Sequence, residues 1–94
     1  MQLFVIRRRG AFADIPDLEK AAARSRQVGD VDMPDKVRWT RSYVVEEPDG
    51  RLGTVCIYQA VDADAIREHA QRAGLSADEI VPALNTVVIR QDPS

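Results

Sequence analysis

The chain has one cysteine, Cys56, and one histidine, His69. A lone cysteine closes no internal disulfide, and one thiol with one imidazole falls short of the ligand set of a four-coordinate zinc module. Aromatic residues are also scarce, with one Trp, two Tyr and two Phe in 94 residues, so the position of each is informative. No apolar run approaches the roughly 18 residues that a bilayer-spanning helix needs. Met1-Gln2 leads straight into strand-like sequence without an apolar leader, so the chain reads as soluble and cytoplasmic, with no membrane partner. Charge of either sign fails to dominate: 13 basic and 15 acidic side chains give a net −2, which lacks the positive footprint of a general nucleic-acid binder. At this length, with 45% hydrophobic residues, the chain is expected to build a single domain over 1–94 around one core. Glycine-rich phosphate loops, GxSxG, HExxH, CxxC and EF-hand spacings are all missing. The third strand-like segment, Thr54-Val55-Cys56-Ile57-Tyr58, also lacks the paired aromatics and bases of an RNA-recognition sheet.

What is present is a regular succession of patterns. Leu3-Phe4-Val5-Ile6 starts a strand over about Gln2 to Arg9, closed by Arg7-Arg8-Arg9-Gly10, a charged strand end kept soluble by its arginines. Asp17 is placed to cap a helix over Leu18 to Gln27, whose Leu18, Ala21, Ala22, Ser25 and Val28 recur at helical steps and which stops near Gly29. Val31 to Lys36 reads as a loop, and Val37 to Glu46 as a long strand. Glu47-Pro48-Asp49-Gly50 has the chemistry of a type I turn closing a hairpin onto a third strand, Leu52 to Gln59. Asp62 and Gly74 bracket a second helix, Ala63 to Ala73. Ser76 to Glu79 has a capping-box pattern for a short further turn, and Leu84 to Arg90 reads as the fourth strand. This order predicts an α+β, ferredoxin-like βαββαβ sandwich: a four-stranded antiparallel sheet with two helices on one face.

Side chains alternate along strands, so the sheet has a helix-covered face and an open one. Taking Val55 and Ile57 as the aliphatic, helix-side pair assigns Arg7, Trp39, Arg41, Tyr43, Cys56 and Tyr58 to the open face. A face that rich in apolar and aromatic surface calls for a cover, which predicts a homodimer, a ligand, or both. Arg7 and Arg41 among those aromatics suit a small anionic ligand. His69 falls beside the buried stripe of the second helix and reads as a partly exposed helix histidine.

Several strings in the chain also resemble a known family: Trp39-Thr40-Arg41-Ser42-Tyr43-Val44, Cys56-Ile57-Tyr58, Ile66-Arg67-Glu68-His69-Ala70, Gly74-Leu75 and Ala77-Asp78. They are similar to the W-x-H-S-Y-V, C-V-Y, I-R-E-H-A, G-F and A-D strings of a largely actinobacterial family of unknown function whose characterised member is a dimeric, ferredoxin-like, nickel-binding protein. The resemblance implies a homodimer and a nickel ion, with His69 and Glu68 as metal ligands and Cys56 or a partner's acid completing the shell. Two positions depart from the family pattern. Arg41 stands where the family commonly has histidine and Arg7 where it has an acid, and a guanidinium cannot ligate a metal. Three readings follow: a metal-binding protein with a degenerate site, a dimer with an open-face pocket for an organic or anionic molecule that is a possible enzyme, and a protein–protein adaptor.

Overall fold

In the computed structural model, which describes residues 1–93, the elements run β1 (Gln2–Phe12), α1 (Ile15–Gln27), β2 (Val37–Glu46), β3 (Leu52–Ala60), α2 (Ala63–Ala73) and β4 (Glu79–Ala83). The strands form one antiparallel sheet in the order β2-β3-β1-β4, the ferredoxin-like arrangement that the pattern predicts.

β1 is longer than its composition suggests. Gly10 takes a left-handed φ of 54°, the ladder to β3 shifts there, and the strand then re-engages so that Phe12 lies opposite Leu52 and is buried. The α1 cap is Asp14 rather than Asp17. Its carboxylate accepts from the Asp17 amide at 2.9 Å, and the Asp17 carboxylate accepts from the Ala13 amide at 3.0 Å. Pro16 then falls in the first turn, where its missing N–H costs nothing. Nor does the helix stop at Gly29. It widens into a single π turn over Val28–Asp32, closed by the Met33 amide donating five residues back to the Val28 carbonyl at 2.9 Å. Gly29 is thereby buried, where a Cβ would stand 3.6 Å from His69 Nε2.

The hairpin turn is closed by the Gly50 amide on the Glu47 carbonyl at 2.9 Å, with Gly50 at φ 87°. Asp62 caps α2 by accepting from the Ala65 amide at 2.8 Å. The helix ends at Gly74, φ 71°, with paired closing bonds from Gly74 to Gln71 and from Leu75 to Ala70.

The fourth strand is displaced from the expected segment. β4 is Glu79–Ala83, paired to β1 from Arg7↔Glu79 to Leu3↔Ala83, so the capping-box pattern at Ser76 to Glu79 starts no helical turn. Pro82 is tolerated because β4 lies at an edge of the sheet. Leu84 to Arg90, apolar and β-branched, finds no strand partner among the described residues, and Leu84 is 97% exposed.

The core lies between the sheet and the helices. Phe4 and Ile6 from β1, Val37 from β2, Tyr58 and Ala60 from β3, and Ile66 and Ala73 from α2 belong to one buried cluster with Val28 and Met33. Ile6 and Ile66 are wholly inaccessible, and each contributes about 1.5–3 kcal/mol by burial. α1 faces the sheet with Ala21, Ala22 and Ser25, whose short side chains leave space above β2 and β3.

Candidate functional site: a cleft between α1 and the sheet

The expected open-face cluster is divided between the two faces of the sheet. In the β1–β3 ladder Phe4 faces Tyr58, Ile6 faces Cys56 and Arg8 faces Thr54, and all six are buried, so this parity belongs to the helix side. Val55 and Ile57, the more aliphatic pair, point the other way. In β2, Trp39 lies opposite Tyr58 and Arg41 opposite Ile57, which leaves Thr40 as an extra residue in a β-bulge. The bulge reverses the alternation. Trp39 and Ser42 therefore share the helix side with Cys56 and Tyr58, while Arg41 and Tyr43 remain on the open face with Arg7. The open-face assignment of Trp39, Cys56 and Tyr58 is thus overturned, because it rested on ranking side chains by hydrophobicity and on an unbroken period of two.

On the open face the arginines have carboxylate partners. Arg7 Nη2 donates to Glu47 Oε1 at 2.6 Å, and the same carboxylate accepts from the Gly10 amide at 2.7 Å. The Arg7 hydrogen bond holds the Glu47 carboxyl below its usual pKa, against a smaller opposing effect of burial. Arg41 Nη1 donates to Asp92 at 2.9 Å, and the Tyr43 hydroxyl donates to the same oxygen at 2.8 Å. Asp92 thereby ties the segment after β4 across the open face to β2, so Val87, Val88 and Ile89 lie beside Leu3, Val5 and Ile57. Arg7 and Arg41 stand on strands separated by β3, each with its own acid, and do not form one anion-binding pair.

His69 is 0% exposed, which corrects the expectation of a partly exposed side chain. Its Nε2 lies 3.0 Å from the Ser25 carbonyl oxygen, an obligate acceptor, so Nε2 carries the proton and Nδ1 the lone pair. Nδ1 is buried and has no partner among the described residues. Burial lowers the imidazole pKa, the Ser25 bond opposes this and the nearby Arg8 charge reinforces it, so the ring is neutral at neutral pH. Tyr58 packs edge-on to His69 with ring centroids 5.2 Å apart, and its hydroxyl lies 2.8 Å from Ser25 Oγ. Burial pushes the Tyr58 pKa up. Ser25 and His69 do not make a nucleophile–base pair, because the nitrogen facing Ser25 is already the protonated one.

Glu68 projects from the solvent side of α2 and pairs with Arg72 at 3.1 Å, so it does not converge with His69 within one chain. Among the described residues no three His, Cys, Asp or Glu side chains gather where they could hold an ion. The buried imidazole, its committed Nε2 and the adjacent Arg8 cation do not fit a nickel shell built from this chain alone.

The concave feature of the helix side is a cleft of about 510 Å³ between α1 and the β2–β3 half of the sheet. Trp39 stacks on Tyr58 with centroids 6.1 Å apart. Trp39 Nε1 donates to Ser42 Oγ at 2.8 Å, and Ser42 in turn donates to Cys56 Sγ at 2.9 Å. Arg8 reaches the same sulfur with Nη1 at 3.3 Å and the Ser76 carbonyl with Nε at 2.7 Å. Phe12, Leu18, Val44 and Leu75 supply apolar lining; Arg8, Ser25, Ser42 and Thr54 are polar groups on it, and Arg26, Asp30, Thr40 and Arg41 line it as well. Of the expected site residues the cleft gathers Trp39, Cys56 and Tyr58, with Arg41 also on its lining. Arg8, Ser25, Ser42 and Thr54 are the residues that sequence reading missed. Arg8 carried a usable signal: it has the parity of Phe4 and Ile6, both core residues.

Comparison with known proteins agrees with this architecture. The crystal structure of SCO4226 from Streptomyces coelicolor A3(2) superposes with a TM-score of 0.70 at 21% identity, over 90% of this chain and 99% of that one. No curated protein matches the chain. Residues 4–82 match the family described as nickel responsive protein SCO4226-like. With most of its length matched, the chain belongs to the SCO4226-like, nickel-responsive family.

Proposed function

We propose that this chain is a single-domain, cytoplasmic, homodimeric binding protein whose ligand is a small, partly apolar organic molecule held in the cleft between α1 and the sheet. The observation that carries this reading is the cleft itself. Its volume of about 510 Å³ lies in the range of about 300–1,000 Å³ usual for small-molecule sites. Its lining joins an aromatic platform, Trp39 on Tyr58, to a few polar groups. The open face supports the dimer: Leu3, Val5, Val55 and Ile57 of the sheet, with the exposed Val87 and Ile89 beside them, make a surface that a second copy can cover.

The nickel reading draws its support from the family name; in this chain His69 is buried and Glu68 is paired with Arg72 apart from it, so a nickel site needs most of its ligands from a second subunit. Both readings meet in one experiment. Trp39 is the sole tryptophan, so its fluorescence reports the cleft directly. Titration with a library of small aromatic and branched-chain compounds should give saturable changes in wild type. The same changes should be lost in Ala22→Phe, which fills the cleft from α1. Light scattering of the same samples should give the mass of two chains. Absence of any saturable response, or a monomer, overturns the corresponding part of the proposal. Tight nickel binding that disappears in His69→Ala would move the function to the metal.

A further inference from the structure

We infer that the ligand of this cleft carries a single carboxylate, received by Arg8 and Thr54; this rests on the cleft reading above and adds the class of the ligand. Three successive arginines in β1 alternate between the faces of the sheet, and their partners differ. Arg7 is paired with Glu47 and Arg9 with Glu79. Arg8, only 2% exposed, forms no ion pair among the described residues. Its hydrogen bonds go to the neutral Ser76 carbonyl and the Cys56 sulfur, a further polar neighbour is the neutral Tyr58 hydroxyl, and Nη2 has no hydrogen-bond partner among the described residues. A guanidinium stays charged at any physiological pH, and an uncompensated buried cation is unfavourable unless an anion joins it.

Thr54 makes the assignment more specific. It is the cross-strand neighbour of Arg8 on the same face, it is buried, and its Oγ1 likewise has no hydrogen-bond partner among the described residues. Neighbouring side chains in such a pair lie about 5 Å apart at Cβ. Two unused donors, one charged and one neutral, therefore come from paired positions on one face and line the same cleft, an arrangement that suits the two oxygens of a carboxylate. One buried positive charge balances one negative charge. The other charged residues on the lining already have partners, Arg26 with Asp30 and Arg41 with Asp92, and the neighbouring Phe12, Leu18 and Val44 suit an apolar body.

The test compares benzoate, phenylacetate and isovalerate, each with its amide, and inorganic phosphate, by Trp39 fluorescence and thermal shift. At least one acid should bind saturably and about tenfold or more tighter than its amide, because a site built for a charged group rejects the analogue that lacks it. Arg8→Gln should remove that preference, so that acid and amide bind with about equal affinity. Thr54→Val replaces an unpartnered hydroxyl with a methyl group, so it should fold at least as well as wild type and weaken the acid severalfold. Should Arg8→Gln fail to fold, Thr54→Val decides. Acid and amide binding equally would overturn the carboxylate assignment and leave the cleft reading standing. Binding of neither would remove both. Phosphate outcompeting every carboxylate, or acid affinity unchanged in Thr54→Val and in folded Arg8→Gln, would also overturn the inference.

Discussion

Lowering the pH from about 7.5 to about 5 should destabilise this protein through His69, over a range that lies mostly above the ordinary titration of carboxyl groups. The folded protein holds His69 as a neutral ring, with Nε2–H on the Ser25 carbonyl and Nδ1 buried without a partner among the described residues. Protonation would place a charge and an unsatisfied N–H among Tyr58 of β3, Arg8 of β1 and Ser25 of α1, and Arg8 is itself a cation. In the unfolded chain the imidazole protonates near pH 6.5. Burial puts the folded pKa below that value, so between the two the unfolded state binds more protons. Stability is therefore complete above about pH 6.5 and falls as the pH drops toward the folded pKa. The limiting slope for one proton is about 1.4 kcal/mol per pH unit. For a domain of this size that corresponds to a decrease in melting temperature of about 6–11 °C per unit. No other histidine competes for the assignment. Thermal melts in matched buffers, with wild type beside His69→Gln, read the effect, because the glutamine amide can take the place of Nε2–H on Ser25 without titrating. A flat wild-type profile between about pH 6.5 and 5, or an equal slope in His69→Gln, would refute the argument.

Two further outcomes test the frame that holds the cleft. A Cβ at Gly53 would stand 2.6 Å from the Arg8 carbonyl, 2.7 Å from Arg7 Nη1 and 2.9 Å from Glu47 Oε2, so Gly53→Ala must part β1 from β3 or break the Arg7–Glu47 pair. It should cost about 1–3 kcal/mol in urea denaturation, and an unchanged midpoint would show that the strands give way freely. Asp62→Ala removes the oxygen that receives the Ala65 amide and should cost about 1 kcal/mol. Chemical denaturation that finds the variant as stable as wild type would take the cap out of the account.

Local rules located most of this fold. Asp62 and Gly74 bracket α2 as their chemistry requires, and the Glu47–Gly50 turn sets the β2–β3 hairpin. The misreadings share a cause, which is that a strand is defined by its partner and not by its composition. Leu84 to Arg90 has better strand residues than Glu79–Ala83, yet β1 pairs with the latter. Pro82 passes there because one side of an edge strand needs no donors. The site was less legible than the fold. Cys56 and Tyr58 were recognised as worth attention but placed on the wrong face, since a parity argument anchored on aliphatic content cannot see that Tyr58 is completed by Ser25 from α1. Arg8 stayed hidden inside a triplet that looks like a solubilising charge run. Its parity with Phe4 and Ile6 held the information, while its burial depends on the Ser76 carbonyl, 68 positions further along the chain.

The extra residue at Thr40 lets one strand be written in two frames. Before it, Trp39 shares the side of Tyr58; after it, Ser42 rather than Arg41 continues that side, opposite Cys56. A length change of one residue at this point would exchange the inhabitants of the two surfaces along the rest of β2, with no change in composition. When other chains are aligned to this one, a gap moved by one place at Thr40 therefore decides whether a given side chain is compared with the wall of the cleft or with the opposite surface. Correspondences for Arg41, Ser42 and Tyr43 hold only where the bulge itself is matched.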